Sequence, residues 1–147
     1  MLSQNSNATR FALPYNDNGV FKFRSFGRDT RTPDVIKAEE TNFNELLGLD
    51  DWTMCLTSTP DPFITCCFVT DEVVFINLFH TYSKIHYHFF FNIDKREIEG
   101  EVAKMEIKNF ASNFPLKCIY NEDKEEIYAF YRLGEAFIVP KGNSQRY

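Results

Sequence analysis

The residues most able to do chemistry are three histidines in one short stretch, His80, His86 and His88. On an extended strand His86 and His88, spaced by two, project from the same face, which is how a sheet can present two imidazoles to a metal ion. They are the candidate metal ligands. His80 does not join them if the loop Thr81 to Lys84 is even, because His80 then pairs with Ile85 and Phe79 with His86, turning His80 to the other side. An odd loop or a bulge would reverse that. Asp71 and Glu72 stand at the far end of the hairpin and supply no convincing third ligand. The spacing therefore favours a plainer role, imidazoles hydrogen-bonded on a half-exposed, aromatic-rich sheet.

The cysteines Cys55, Cys66, Cys67 and Cys118 contain no C-x-x-C pair of the kind that holds zinc or exchanges disulfides. Cys66 and Cys67 are neighbours, so on a strand their thiols leave opposite faces and cannot both reach one partner. Reduced, mostly buried thiols are expected, and with them an intracellular, reducing compartment, cytoplasm or cytoskeleton. Met1 to Leu13 also lacks the apolar stretch of a secretory signal. The cations Arg10, Lys22, Arg24, Arg28 and Arg31, against Asp17 and Asp29, have the bias of an organellar transit peptide, but Pro14 and the turn Asn16-Asp17-Asn18-Gly19 interrupt any amphipathic helix.

Motifs for nucleophilic catalysis, zinc proteolysis and phosphate or dinucleotide cradling are absent, and a chain with 6 glycines is poorly equipped for the last. Glu122-Asp123 and Glu125-Glu126 flank one turn, and a solvated hairpin tip does not desolvate a carboxyl as general acid catalysis needs. No catalytic residue and no cofactor are assigned, and the expectation is a protein that is not an enzyme.

Phe21-Lys22-Phe23-Arg24-Ser25-Phe26-Gly27-Arg28 interleaves rings with cations. Single-strand nucleic-acid binders use that alternation, stacking bases on rings and meeting phosphates with cations. A net charge of −5 and a pI near 5.2 oppose it, and oppose binding to anionic membranes as well. The composition better suits docking on an acidic protein surface, with Phe21, Phe23 and Phe26 burying area and Lys22, Arg24 and Arg28 facing carboxylates. These six are the candidate partner-binding residues. Packing back onto the chain's own domain is the competing expectation.

The elements that must position these groups come from 147 residues, 17.3 kDa, of which 44% are apolar and 16% aromatic. That composition excludes global disorder, and no apolar run reaches the roughly 18 residues of a membrane span. Charge divides the chain into a basic segment over 1–31, an acidic one over 32–61 and a nearly balanced remainder. Residues 1–31 read as an extended arm that needs a surface to lie on. Residues 32–61 read as a short helical connector: Thr32-Pro33-Asp34 starts a helix, Ile36, Glu40, Phe43 and Leu47 form its stripe, and Gly48 ends it. Asn42 and Glu45 form a capping box that would restart a second short helix within 33–47.

From Pro62 to Pro140 the pattern is β. Phe63 to Val69, Val73 to His80 and Ile85 to Ile93 are strands rich in β-branched and aromatic residues, with polar turns between them. Asn92 to Ile98 reads as a turn followed by a resumed strand, and residues 101–110 as strand by the alternation of Met105 and Ile107. Leu116 to Tyr120, Glu126 to Tyr131 and Ala136 to Val139 make a second group, and 141–147 a tail. The fold class expected is mainly β with a short helical segment: antiparallel meander sheets, blade-like or closed into a small barrel or sandwich, behind an extended N-terminal arm.

The two strand groups look alike. Each follows a proline, carries a cysteine in its first strand (Cys67, Cys118), turns through acids and continues with an aromatic strand, at an offset of about 50 residues, the kelch period. The stretch from Val73 to Asp94-Lys95 has the same rhythm, and residues 62–140 resemble two degenerate kelch-like β-propeller blades. The paired glycines of that family are absent, and Asp51-Trp52 does not replace the other propeller signature. The resemblance implies a sheet array completed by partners, since two blades cannot close a ring of at least four. The function expected is a structural or interaction subunit of a larger protein assembly, with an acidic filament surface as one partner type. A small β-barrel binding an apolar or aromatic ligand, with His86 and His88 at its mouth, is the first alternative. A metal-dependent enzyme using those two histidines is the second.

Overall fold

The structure is a computed structural model that describes residues 2–17, 19–28, 36–49, 63–80, 85–106, 115–132, 134 and 136–141. All but one of its described elements are strands. The first sheet contains β1 (Ser3–Gln4), β2 (Arg10–Asp17), β3 (Val20–Arg28) and β4 (Ile36–Asn42), in the order β1-β2-β3-β4. A single short helix follows, α1 (Phe43–Leu47). The middle sheet is β5 (Ile64–Phe68), β6 (Val73–His80), β7 (Ile85–Asn92) and β8 (Glu97–Glu106), and the third is β9 (Pro115–Asn121), β10 (Glu126–Tyr131) and β11 (Ala136–Pro140). Every described pairing is antiparallel between chain neighbours.

The N-terminal segment differs from the arm expected. Residues 10–28 form a hairpin, β2 and β3, whose inner face carries Ala12, Phe21 and Phe23 into the chain's own core. Alternation explains it: Phe21 and Phe23 are spaced by two, so both rings reach one side, while Lys22 and Arg24 take the other. Phe21 and Phe23, two of the rings read as free to dock, are thus absorbed within the molecule.

The helix expected to begin near Thr32 is also corrected over 36–42, where β4 pairs with β3 from Lys22↔Asn42 to Arg28↔Ile36. Ile36, a presumed core position of the helical stripe, is 56% exposed. Local spacing lost to strand pairing, and the charged residues of β4 suit an edge strand. The second helix is as the capping box predicts, with the Asn42 side chain accepting from the Glu45 N–H and Gly48 closing the helix in the left-handed region at φ 68°. Thr32-Pro33-Asp34, Asp51-Trp52, Cys55, Pro60-Asp61-Pro62 and the tail beyond Lys141 lie outside the described residues.

The strands of residues 63–140 follow the expected positions closely, and 97–106 is strand. What the sequence did not reveal is that the N-terminal hairpin and β4 make a third meander in the same rhythm. Second strands end at Arg28, His80 and Tyr131, and third strands begin at Ile36, Ile85 and Ala136, each about 50 residues after the last. The sheets approach most closely along their first strands, with β5 beside β2 on one side and β9 on the other. No ring is closed by the described strands.

Packing is layered. One face of the middle sheet (Cys66, Phe68, Val74, Ile76, Phe89, Phe91) meets the first sheet and α1, where Phe43 lies 5.2 to 5.4 Å from the rings of Phe23, Phe89 and Phe91. The other face (Cys67, Val73, Phe75, Phe90) meets Cys118, Ile127, Ala129, Tyr131 and Val139 of the third. With both faces covered, every residue of β6 is buried, and its near-continuous apolar sequence follows from that. Two turns share one chemistry: in Asn92-Ile93-Asp94-Lys95-Arg96-Glu97 and Asn121-Glu122-Asp123-Lys124-Glu125-Glu126 the Asn side chain accepts from the Lys N–H, and Arg96 (φ 56°) and Glu125 (φ 52°) take the left-handed position.

Candidate functional site

The register of β6 and β7 pairs His80 with Ile85 and Phe79 with His86, as an even loop predicts. His80 therefore faces the first sheet, with the Phe21 ring at 6.3 Å, while His86 and His88 face the third. The two imidazoles stack at 5.9 Å, and His86 stacks on Tyr131 of β10 at 5.1 Å. The Tyr131 hydroxyl sits 3.0 Å from His88 Nε2 and accepts from Asn77 Nδ2 at 3.1 Å. All four side chains are buried. The half-exposed sheet expected for them is thus corrected, because the third sheet covers that face.

Burial sets the chemistry of this cluster. Desolvation first, and then the neighbouring His86, lower the His88 pKa to about 3, so it is neutral near pH 7. Among the described residues no third His, Cys, Asp or Glu joins the pair in a metal-holding group. The arrangement can tie two sheets together through polar contacts. The sequence reading missed Tyr131, since no local spacing links β10 to β7.

Cys66 and Cys67 go to opposite faces, as neighbours on a strand must, and Cys66, Cys67 and Cys118 are all free and buried. Burial pushes the Cys66 thiol up to about 12, and that of Cys118 well above its ordinary value, with a hydrogen bond to Cys67 adding to the second shift. These thiols border a cleft of about 430 Å³ between β1, β5 and β9, whose walls include Ser3, Thr65, Leu116 and Ile119. Ser3 Oγ donates to the Cys66 carbonyl at 2.8 Å and seats β1 against β5. Raised pKa values leave Cys66 and Cys118 little thiolate, so these two wall the cleft as apolar groups.

Of the six candidate partner-binding residues, Phe21 and Phe23 are core and are closed to a partner in the folded chain. Lys22, Arg24 and Phe26 lie on the outer face of the first sheet, and the side chain of Arg28 lies outside what is described. Lys22 is bridged to Asp17 at 2.9 Å and Arg24 to Glu40 at 3.0 Å, and Arg24 also sits over the Tyr15 ring at 5.1 Å. The Tyr15 hydroxyl and the Arg24 guanidinium hold the Glu40 carboxyl below its usual range.

The outer face of the third sheet carries a different feature. Cross-strand pairing sets Ile119, Tyr128 and Ile138 in one row, with Lys117, Phe130 and Ala136 in the next. Ile138 is 59% exposed, Ile119 42% and Phe130 39%. Alternation in β9, β10 and β11 carries this signal, but the sequence alone does not say which face of this sheet the middle sheet covers. No protein-family profile and no curated protein matches the chain. No helix among the described residues is long and apolar enough to cross a membrane.

Proposed function

We propose that the chain is a non-enzymatic interaction module, a run of kelch-like, blade-like sheets that engages protein through the outer face of its third sheet. The observation that carries this reading is the continuous row Ile119, Tyr128 and Ile138, flanked by Phe130, on the solvent side of three strands. Single exposed apolar residues are ordinary, whereas a contiguous set across a sheet suits an interface. The imidazoles of His86 and His88, by contrast, are packed inside. Docking is therefore assigned to a sheet face in place of an aromatic arm. Lys22 and Arg24 already meet Asp17 and Glu40, which leaves them little charge to spend on an acidic filament.

The test is a photo-crosslinking residue at Ile138 in cells, with one at exposed Lys95 as control. The reading expects protein adducts from position 138 and few from 95. Equal yields, or none from 138, would remove its support. The cleft bordered by β1, β5 and β9 supports a second reading, a small apolar ligand held against Phe68, Leu116 and Ile119. His86 and His88 are not among its walls. A thermal shift with apolar probes, lost in Cys118→Phe, would separate that reading from the first.

A further inference from the structure

We infer that Cys67 of β5 and Cys118 of β9 are a thiol pair oxidised by small peroxides, whose disulfide ties the middle sheet to the third. β5 and β9 are the strands along which these two sheets run closest together, and each turns its cysteine into the core they share. A side-chain hydrogen bond already joins the two thiols. Both also border the cleft between β1, β5 and β9. Cys66 is set apart by alternation: as the neighbour of Cys67 it leaves the opposite face of β5, and its sulfur donates to Ser3 Oγ at 3.7 Å. The pairing is independent of the sheet face assigned to docking.

The cleft, of about 430 Å³, gives a molecule little larger than water a route to sulfurs that a bulky reagent cannot reach. One sulfur of the pair, as thiolate, attacks hydrogen peroxide; the O–O bond breaks, hydroxide leaves and takes up the thiol proton, and a sulfenic acid remains. The second sulfur then attacks the first. The S–S bond forms, the S–O bond breaks, and the departing hydroxyl leaves as water with the second thiol proton. Two electrons pass from the sulfurs to the peroxide, and two waters are released. Burial disfavours the thiolate that the first step needs, so oxidation is slow. The product is neutral, which suits the apolar site. Closing the chain from 67 to 118 restricts the unfolded state, so the oxidised form is the more stable.

Full-length folded Cys55→Ser protein is treated with hydrogen peroxide, quenched with catalase, alkylated in guanidinium and digested without reductant. The expected product is a peptide pair joined through Cys67 and Cys118, two hydrogens lighter than its separate parts, with Cys66 alkylated. The urea midpoint should shift upward and return when a phosphine reduces the bond. Adding Cys66→Ser should leave the bond and the shift in place, whereas Cys118→Ser should lose both. Recovery of Cys67 and Cys118 as alkylated thiols from a treated protein that stayed folded overturns the inference. So does either residue found as a sulfinic acid, bonded to Cys66 or bonded to a second chain, because oxidant would then have reached the sulfurs without finding them paired.

Discussion

The Tyr131 hydroxyl on β10 and Nε2 of His88 on β7 lie 3.0 Å apart, joining the third sheet to the middle one inside the core. The same oxygen accepts from Asn77, so one side chain serves two buried polar groups on neighbouring strands. Removing it by Tyr131→Phe leaves those groups desolvated without their shared partner, and a loss of about 1 to 3 kcal/mol is expected in urea unfolding. Adding His88→Phe should cost less than the sum of the two single changes, because the pair then leaves together. Strict additivity would show that the contact contributes nothing.

The neutral state of His88 makes stability depend on pH. Its pKa is lowered to about 3 in the folded chain, against 6.5 for the unfolded chain, so between those values the unfolded state binds the extra proton. The contribution is complete above pH 6.5 and erodes by up to about 1.4 kcal/mol per unit as pH falls towards 3. Urea midpoints measured from pH 7 to pH 4 should decline in the wild type and decline less steeply in His88→Gln. Parallel profiles would place the acid sensitivity elsewhere.

Much of this fold is legible in the sequence because its signals are local. The period-two runs of β6 and β7, the Asn-x-Asp-Lys turns and the Asn42 cap all rest on neighbours in the chain. What depends on distant partners is not legible in the same way. The strand β4 exists because β3 offers a pairing edge, Phe23 is core because Phe43 and Phe91 wait for it, and Phe21 because it meets His80. The candidate site divides on the same line. The shared face of His86 and His88 follows from spacing, whereas their burial beneath Tyr131 follows from how the third sheet lands.

The described thiols should be silent in the native state. Cys66 and Cys118 are buried with raised pKa values, and Cys67 lies in the same core as Cys118. In a Cys55→Ser background, an aromatic disulfide reagent at pH 8 should label the native chain only as fast as it unfolds, and all three remaining thiols quickly in guanidinium. Rapid native labelling of one thiol would mean that the cleft between β1, β5 and β9 opens to reagent without unfolding.

The first sheet should melt with the rest of the molecule. Phe23 is fully buried and its ring lies 5.4 Å from Phe43 and 5.6 Å from Phe91, so it packs against α1 and the middle sheet together. Phe23→Ala is expected to cost about 3 to 5 kcal/mol and to keep a single unfolding transition. Lys22→Ala, one residue away on the outer face, removes only exposed ion pairs and should leave the urea midpoint close to that of the wild type. Protease should cut residues 10–28 no faster than β6 and β7, since the first sheet shares a core with one face of the middle sheet. If instead the N-terminal hairpin is lost early while 63–140 stays protected, the first sheet is an independently docked arm, and the cost of Phe23→Ala will appear as faster clipping without a lower global stability.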